Sequence, residues 1–199
     1  MNSAITLTLP GWQGAGTSHW LELWERTLGF ERVQQHDWFA PLRGDWITRL
    51  EDVILSKDTV RPFVLVAHGL GCHLVAAWAA VSCNAARVHA ALLVAPPDVG
   101  RPDFPPEAHS WRRPVLTRLP FAATCVGFND DPHCSLDAGR RMASSWGAHC
   151  VELAGSGPQL ETGALGDWPQ GQDVLKAALA KRQPEQFNES REPTWSPKN

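Results

Sequence analysis

The chain contains 199 residues, of which 43% are hydrophobic and 20% are charged, and its formal net charge is −3. These values are typical of one soluble globular domain, and they exclude the basic stripe of a nucleic-acid-binding protein and the polybasic patch of a membrane-surface protein. No apolar run reaches the roughly 18 residues of a transmembrane helix, and the first residues lack the features of a signal peptide, so a cytoplasmic location is expected.

Strand and helix patterns alternate along most of the chain. Short apolar runs bounded by Pro or Gly predict strands, and apolar residues at helical spacing predict helices. Either Thr17 or Ser18 is expected to cap the first helix. The predicted strands cover residues 5–9, 30–34, 63–67, 88–95, 121–127 and 148–153, and the predicted helices cover residues 19–28, 45–56, 70–84, 136–146 and 173–181.

This alternation predicts an α/β fold, with a doubly wound parallel sheet at the centre of a three-layer α/β/α sandwich. Residues 1–182 are expected to form the single domain, and the polar residues 183–199 a disordered tail. The proline-rich segment 96–120 is too long for a tight connection, so it is interpreted as a cap over the strand ends. Ligands of such sheets bind beyond the carboxyl ends of the strands.

The segment Phe63–Trp78 has the layout of a nucleophile elbow, in which a strand runs through a sharp glycine-rich turn into a helix. Its turn, Ala67-His68-Gly69-Leu70-Gly71, places small residues where the strained geometry demands them. However, the central position of the G-x-S-x-G pattern, where the serine would stand, is occupied by Gly69, which has no side chain. The sequence therefore predicts a hydrolase scaffold without its nucleophile.

Five motifs are weak singly and specific in combination: Leu9-Pro10-Gly11-Trp12-Gln13-Gly14, Val66-Ala67-His68-Gly69-Leu70-Gly71-Cys72, Leu92-Leu93-Val94-Ala95-Pro96-Pro97-Asp98-Val99, Asp130-Asp131-Pro132-His133-Cys134-Ser135 and Gly166-Asp167-Trp168-Pro169. Through them the chain resembles the small serine hydrolases of the retinoblastoma-binding protein 9 type, and most closely their bacterial branch. The resemblance covers residues 5–181. It implies the α/β-hydrolase fold and an esterase-like Ser–Asp–His triad.

The resemblance implies a triad with two vacant positions. The acid falls on Asp131, with Asp130 as the nearby alternative, whereas the nucleophile falls on Gly69. The histidine falls on Pro158, or on Gly157 because the loop aligns imprecisely. Glycine supplies no nucleophile and proline carries no proton, and loss of a triad member costs on the order of 10⁴–10⁶-fold in rate. A pseudoenzyme that no longer works as a serine hydrolase is therefore expected.

The backbone N–H groups that would bind an oxyanion do not depend on the missing side chains. The N–H of Leu70, at the start of the elbow helix, and an N–H of Trp12 or Gln13 are expected to form the oxyanion site. The pocket is therefore predicted to bind a small-molecule ligand or an unknown protein, with no nucleic acid or membrane as a partner. In another interpretation the chain is an interaction module that presents residues 96–120 or the Trp195-bearing tail.

An active hydrolase of small esters or amides is the alternative, with Cys72 as nucleophile or with a water activated by His133 and Asp131. His73 is a further candidate for a substitute base. The simpler interpretations are that His68 is structural, that Cys72 and Cys134 pack as small residues, that Asp131 stabilises a turn, and that Ser156 is a loop serine. The five cysteines have no C-x-x-C spacing, which favours reduced thiols and predicts no metal site or cofactor.

Overall fold

Six parallel strands form one sheet in the order β2-β1-β3-β4-β5-β6. The structure is a computed structural model, and it describes residues 4–57, 60–155 and 165–180. In chain order the elements are β1 (Ile5–Leu9), α1 (Trp20–Leu28), β2 (Glu31–Arg32), α2 (Arg43–Leu55), β3 (Phe63–His68), α3 (Leu70–Ala79), β4 (Val88–Val94), β5 (Ala122–Phe128), α4 (Leu136–Trp146), β6 (His149–Leu153) and α5 (Pro169–Ala180).

Helices cover both faces of the sheet, because successive strand residues point to opposite sides. In β3, Phe63, Leu65 and Ala67 join a hydrophobic cluster with α2, α3 and α4. The alternate residues Val64 and Val66 join a second cluster with α1 and α5. This three-layer arrangement confirms the predicted doubly wound parallel α/β fold.

The strand order reverses beside β1, since the chain runs from β1 outward to β2 and then returns to β3 on the other side. The carboxyl ends of β1 and β3 therefore diverge into loops that leave a crevice between them, which is where sheets of this type bind ligands. Gly11 follows β1 and Gly69 follows β3, so the fold brings the two glycine turns of the sequence together at this point.

The connection between β4 and β5 also lies at the carboxyl ends of the strands. It contains a short 3₁₀ helix, Pro106–Trp111, which anchors the segment because Trp111 is buried and donates its indole N–H to the Pro41 carbonyl at 2.6 Å. Phe104 and Pro105 precede this anchor and line the crevice.

Several predicted boundaries were wrong. His19, and not Thr17 or Ser18, caps α1, because its Nδ1 accepts the Leu21 N–H. The elbow helix ends at Ala79 and not near residue 84, whereas α5 begins at Pro169, four residues earlier than predicted. Proline suits the first turn of a helix because its missing N–H would have no partner there.

The predicted tail, residues 183–199, and the last part of the predicted domain lie outside the described residues, as does Ser156. Within the described ranges, no helix is both long enough and apolar enough to cross a bilayer.

Candidate active-site pocket

The elbow has an unusual backbone at its apex. Gly69 lies between β3 and α3 with φ +56° and ψ −125°. Its N–H donates to the Val94 carbonyl at 3.0 Å, and its carbonyl accepts the Cys72 N–H at 3.0 Å. Positive φ is open to glycine but strained for residues with a Cβ. The turn is thus fixed by main-chain hydrogen bonds that do not depend on the side chain at position 69.

Two further glycines let the end of β1 approach the elbow closely. A Cβ at Gly71 would lie 2.1 Å from the Leu9 carbonyl oxygen, and a Cβ at Gly11 would lie 3.1 Å from the Leu70 nitrogen. At Gly69, by contrast, the only contact that a Cβ would make with the described residues is the Gly11 Cα at 3.7 Å, an ordinary van der Waals distance. Backbone strain, and not lack of space, therefore opposes a side chain at the nucleophile position.

The elbow leaves main-chain donors directed at the crevice. Neither the Leu70 N–H, at the first position of α3, nor the Trp12 N–H has an acceptor among the described residues. The N–H of Gln13, the other predicted donor, donates to the Trp38 carbonyl at 2.9 Å. The second donor of an oxyanion site would therefore be Trp12, while Gln13 lines the pocket with a positive φ of 67°.

A cavity of about 400 Å³ lies above the elbow. It brings together most of the residues predicted from the sequence, whereas Asp130, Cys72, Cys134 and His73 do not line it. The described residues contain no group of three side chains that could hold a metal ion. The cavity is lined by Gly11, Trp12, Gln13, Gly14, Gly16, His19, His68, Gly69, Leu70, Ala95, Pro97, Asp98, Arg101, Asp103, Phe104, Pro105, Ala108, Asp131 and His133.

Asp131 lines the cavity and also stabilises the turn after β5. Its Oδ1 accepts the backbone N–H of His133 at 2.7 Å, the hydrogen bond of an Asx turn. Asp130 is exposed and lies outside the cavity lining. Of the two predicted acid positions, only Asp131 therefore lines the cavity. The histidine position, Pro158 or Gly157, lies outside the described residues.

His73 is not placed to act as a substitute base. It is buried, and its Nε2 lies 2.8 Å from the Pro97 carbonyl, to which it donates as a neutral imidazole. Burial lowers the pKa of this side chain to about 4. Its role is to hold the start of the segment after β4 against α3.

The cysteines near the pocket lack the properties of nucleophiles. The Cys72 Sγ is fully buried and lies 3.4 Å from the Val94 carbonyl and 3.6 Å from that of Ala67. Burial raises the pKa of this thiol well above its usual value, and it raises the pKa of Cys134 to about 12. Because the thiolate is the reactive form, these groups are inert near neutral pH.

Two imidazoles, by contrast, lie side by side in the cavity lining. The ring centroids of His19 and His68 are 4.9 Å apart, and the ring planes are inclined by 53°. Burial, together with the nearby Arg32, lowers the pKa of His19 to about 4. Burial also lowers the pKa of His68 well below its usual value, with smaller effects from His19 and His133. Sequence reasoning missed His19, which it treated only as the first residue of a helix.

Comparison with solved structures gives the same fold. A YdeN-like protein from Pectobacterium atrosepticum superposes with a TM-score of 0.75 at 20% sequence identity, over 89% of this chain and 91% of that one. The ydeN gene product of Bacillus subtilis superposes with a TM-score of 0.71 at 19% identity, over 89% and 100%. The type II thioesterase BorB of the borrelidin biosynthetic cluster gives 0.63 at 16% identity, over 91% and 93%.

Sequence comparison identifies the family. No curated protein shows significant similarity to the chain. A profile of the family named Serine hydrolase matches residues 6–177, which include most of β1, the elbow, the Asp131 turn and most of α5. The chain therefore belongs to the serine hydrolase family and has the α/β-hydrolase fold of its structural neighbours.

Proposed function

We propose that this protein is a catalytically degenerate serine hydrolase that binds a small uncharged ligand in the elbow cavity. One observation carries the proposal: the elbow backbone is intact, yet the residue at its apex is Gly69. Among the described residues, the cavity lining contains no Ser, Thr, Cys or Lys, so it presents no hydroxyl, thiol or amine nucleophile. The matching motifs also favour the bacterial branch of the retinoblastoma-binding protein 9 type.

The arrangement of bases supports the same proposal. A serine hydrolase needs an imidazole that removes the nucleophile's proton and returns it to the leaving group. The family position for that imidazole carries Pro158 in this sequence. The Nε2 of His73 is hydrogen-bonded to the Pro97 carbonyl. His19 and His68 have lowered pKa values, which make them weak bases near neutral pH.

One observation favours a second candidate, hydrolysis by an activated water. His133 is exposed at the rim of the cavity, and Asp131 lines the cavity two residues before it. An imidazole in that place could remove a proton from water above the Leu70 N–H. This candidate requires that ester turnover depend on the His133 ring.

A serine-directed fluorophosphonate probe and a short-chain p-nitrophenyl ester test the proposal together. The wild-type protein should remain unlabelled, and its ester turnover should equal that of His133→Gln. Stoichiometric labelling would refute the proposal, and peptide mapping would show whether Ser156 or another residue had reacted. Turnover that His133→Gln abolishes would favour the water mechanism instead.

A further inference from the structure

His19 and His68 have ring nitrogens without hydrogen-bond partners although both residues are buried. They are 5% and 8% exposed, respectively. The Nδ1 of His19 accepts the Leu21 N–H at 3.1 Å, but among the described residues its Nε2 has no hydrogen-bond partner, and neither ring nitrogen of His68 has one. These atoms are not among the buried side-chain nitrogens sealed from solvent, and both residues line the cavity. Because these nitrogens open onto the cavity and not into the packed interior, they are available to a ligand that enters it.

The protonation state of the pair follows from its hydrogen bonds. Because the Nδ1 of His19 accepts a hydrogen bond, the neutral ring carries its proton on Nε2 and offers a donor to the cavity. The neutral His68 ring carries one donor and one acceptor nitrogen. The pair therefore presents donors and an acceptor at neutral pH, without a net charge.

The rest of the lining disfavours an anion. Among the described lining residues there are three carboxylates, those of Asp98, Asp103 and Asp131, and one guanidinium, that of Arg101. The Arg101 guanidinium is already paired with Asp103, to which its Nε donates at 2.9 Å. An anionic ligand would meet this negative potential and two neutral imidazoles, whereas an uncharged polar ligand would not.

We propose that His19 and His68 form a recognition site for an uncharged ligand with a primary carboxamide group. The carboxamide oxygen accepts from the His19 Nε2–H, and the carboxamide NH₂ donates to the acceptor nitrogen of His68. The apolar part of the ligand lies against Phe104, Pro105 and Ala108, which line the cavity. This site deepens the proposed function, on which it rests. It is formed by two imidazole side chains, whereas the oxyanion donors are the backbone N–H groups of Leu70 and Trp12.

Three probes of nearly equal size distinguish a carboxamide from its charged relatives: propionamide, propionate and propylamine. Binding is measured by chemical-shift titration of the backbone amides and of the imidazole nitrogens. A ligand of five heavy atoms is expected to bind in the millimolar range, so titration extends to about 50 mM. Propionamide should bind at least about tenfold more tightly than either ion and should shift the imidazole signals of both histidines.

Two conservative variants test the contacts. His19→Asn keeps a residue that caps α1 well but removes the Nε2 donor, and His68→Phe keeps an aromatic ring against Trp20 but removes both nitrogens. Each should weaken propionamide binding at least about tenfold, while the matched control His149→Gln, at an exposed histidine outside the cavity lining, should change it less than about twofold. Unchanged melting temperatures establish that the variants are folded.

Several outcomes would overturn the carboxamide site. Propionate binding as tightly as propionamide would make the cavity an anion site, and tight binding of propylamine would make it a cation site. Absence of propionamide binding, or binding that survives both histidine substitutions, would also refute it. Ester turnover, measured on the same samples, tests the proposed loss of catalysis separately. A protein that hydrolyses esters can still bind propionamide, and an inactive protein can fail to bind it.

Discussion

Replacing Gly69 tests whether the elbow has the strained backbone described above. Gly69→Ala and Gly69→Ser should both destabilise the fold, because φ +56° disfavours any residue with a Cβ while the space at Gly69 accepts one. A strained residue of this kind costs about 1–3 kcal/mol, and loss of glycine's freedom in the unfolded chain offsets part of it, leaving about 1–2 kcal/mol. For a chain of this size, that corresponds to a fall of about 2–8 °C in melting temperature.

Thermal and urea unfolding of four variants isolates the cause. Gly16→Ala is the matched control, because Gly16 lines the same cavity, its φ is not positive, and no atom lies within 4 Å of its added Cβ. It should leave the free energy of unfolding almost unchanged or raise it slightly. Gly71→Ala should destabilise the fold most, because its Cβ would lie 2.1 Å from the Leu9 carbonyl oxygen and would clash with it.

The pattern among these variants decides between strain and packing. Gly69→Ser should match Gly69→Ala to within about 0.5 kcal/mol, because the two share the backbone cost and differ by one oxygen. If Gly69→Ala proved as stable as Gly16→Ala, the elbow would not have the conformation described, and the comparison of position 69 with a nucleophile position would lose its structural basis.

Restoring catalysis and lowering the pH provide the remaining predictions. The Gly69→Ser/Pro158→His double variant should hydrolyse a short-chain ester at least about tenfold faster than either single variant, and adding Asp131→Asn should remove most of that gain. Folded His19 and His73 have a pKa of about 4, below the 6.5 expected when unfolded, so unfolding takes up protons between these values. Urea unfolding should show stability falling as the pH drops through this window, by up to about 3 kcal/mol per histidine, and His73→Gln should reduce the dependence by one histidine's share, because His19 and His68 remain.

The fold was predictable because the strongest patterns lie in its centre. The run from Phe63 to Ala67 is apolar at every position, as expected of a strand buried on both faces, and it forms all of β3 except its last residue, His68. The glycines that follow occur where a tight turn requires them. Predictions were weaker at the edge, where β2 contains only Glu31 and Arg32 because it pairs with β1 alone.

The contents of the pocket were less predictable, because they depend on contacts between distant segments. Whether Trp12 or Gln13 keeps a free N–H is decided by the Trp38 carbonyl, which lies in a loop with no regular pattern. His19 faces His68 only because α1 packs on the sheet face next to the elbow. No local spacing links these two histidines.

The backbone of the elbow and the side chain at its apex depend on different interactions. Its backbone is held by the hydrogen bonds of Gly69 to Val94 and Cys72, and by the close approach of Leu9 to Gly71. None of these contacts involves a side chain at position 69, so the turn does not depend on one, and glycine there avoids the strain of a Cβ at positive φ. The donor of Leu70 and the two imidazoles likewise need no serine. A pocket built in this way can therefore lose its reaction without losing its ability to bind.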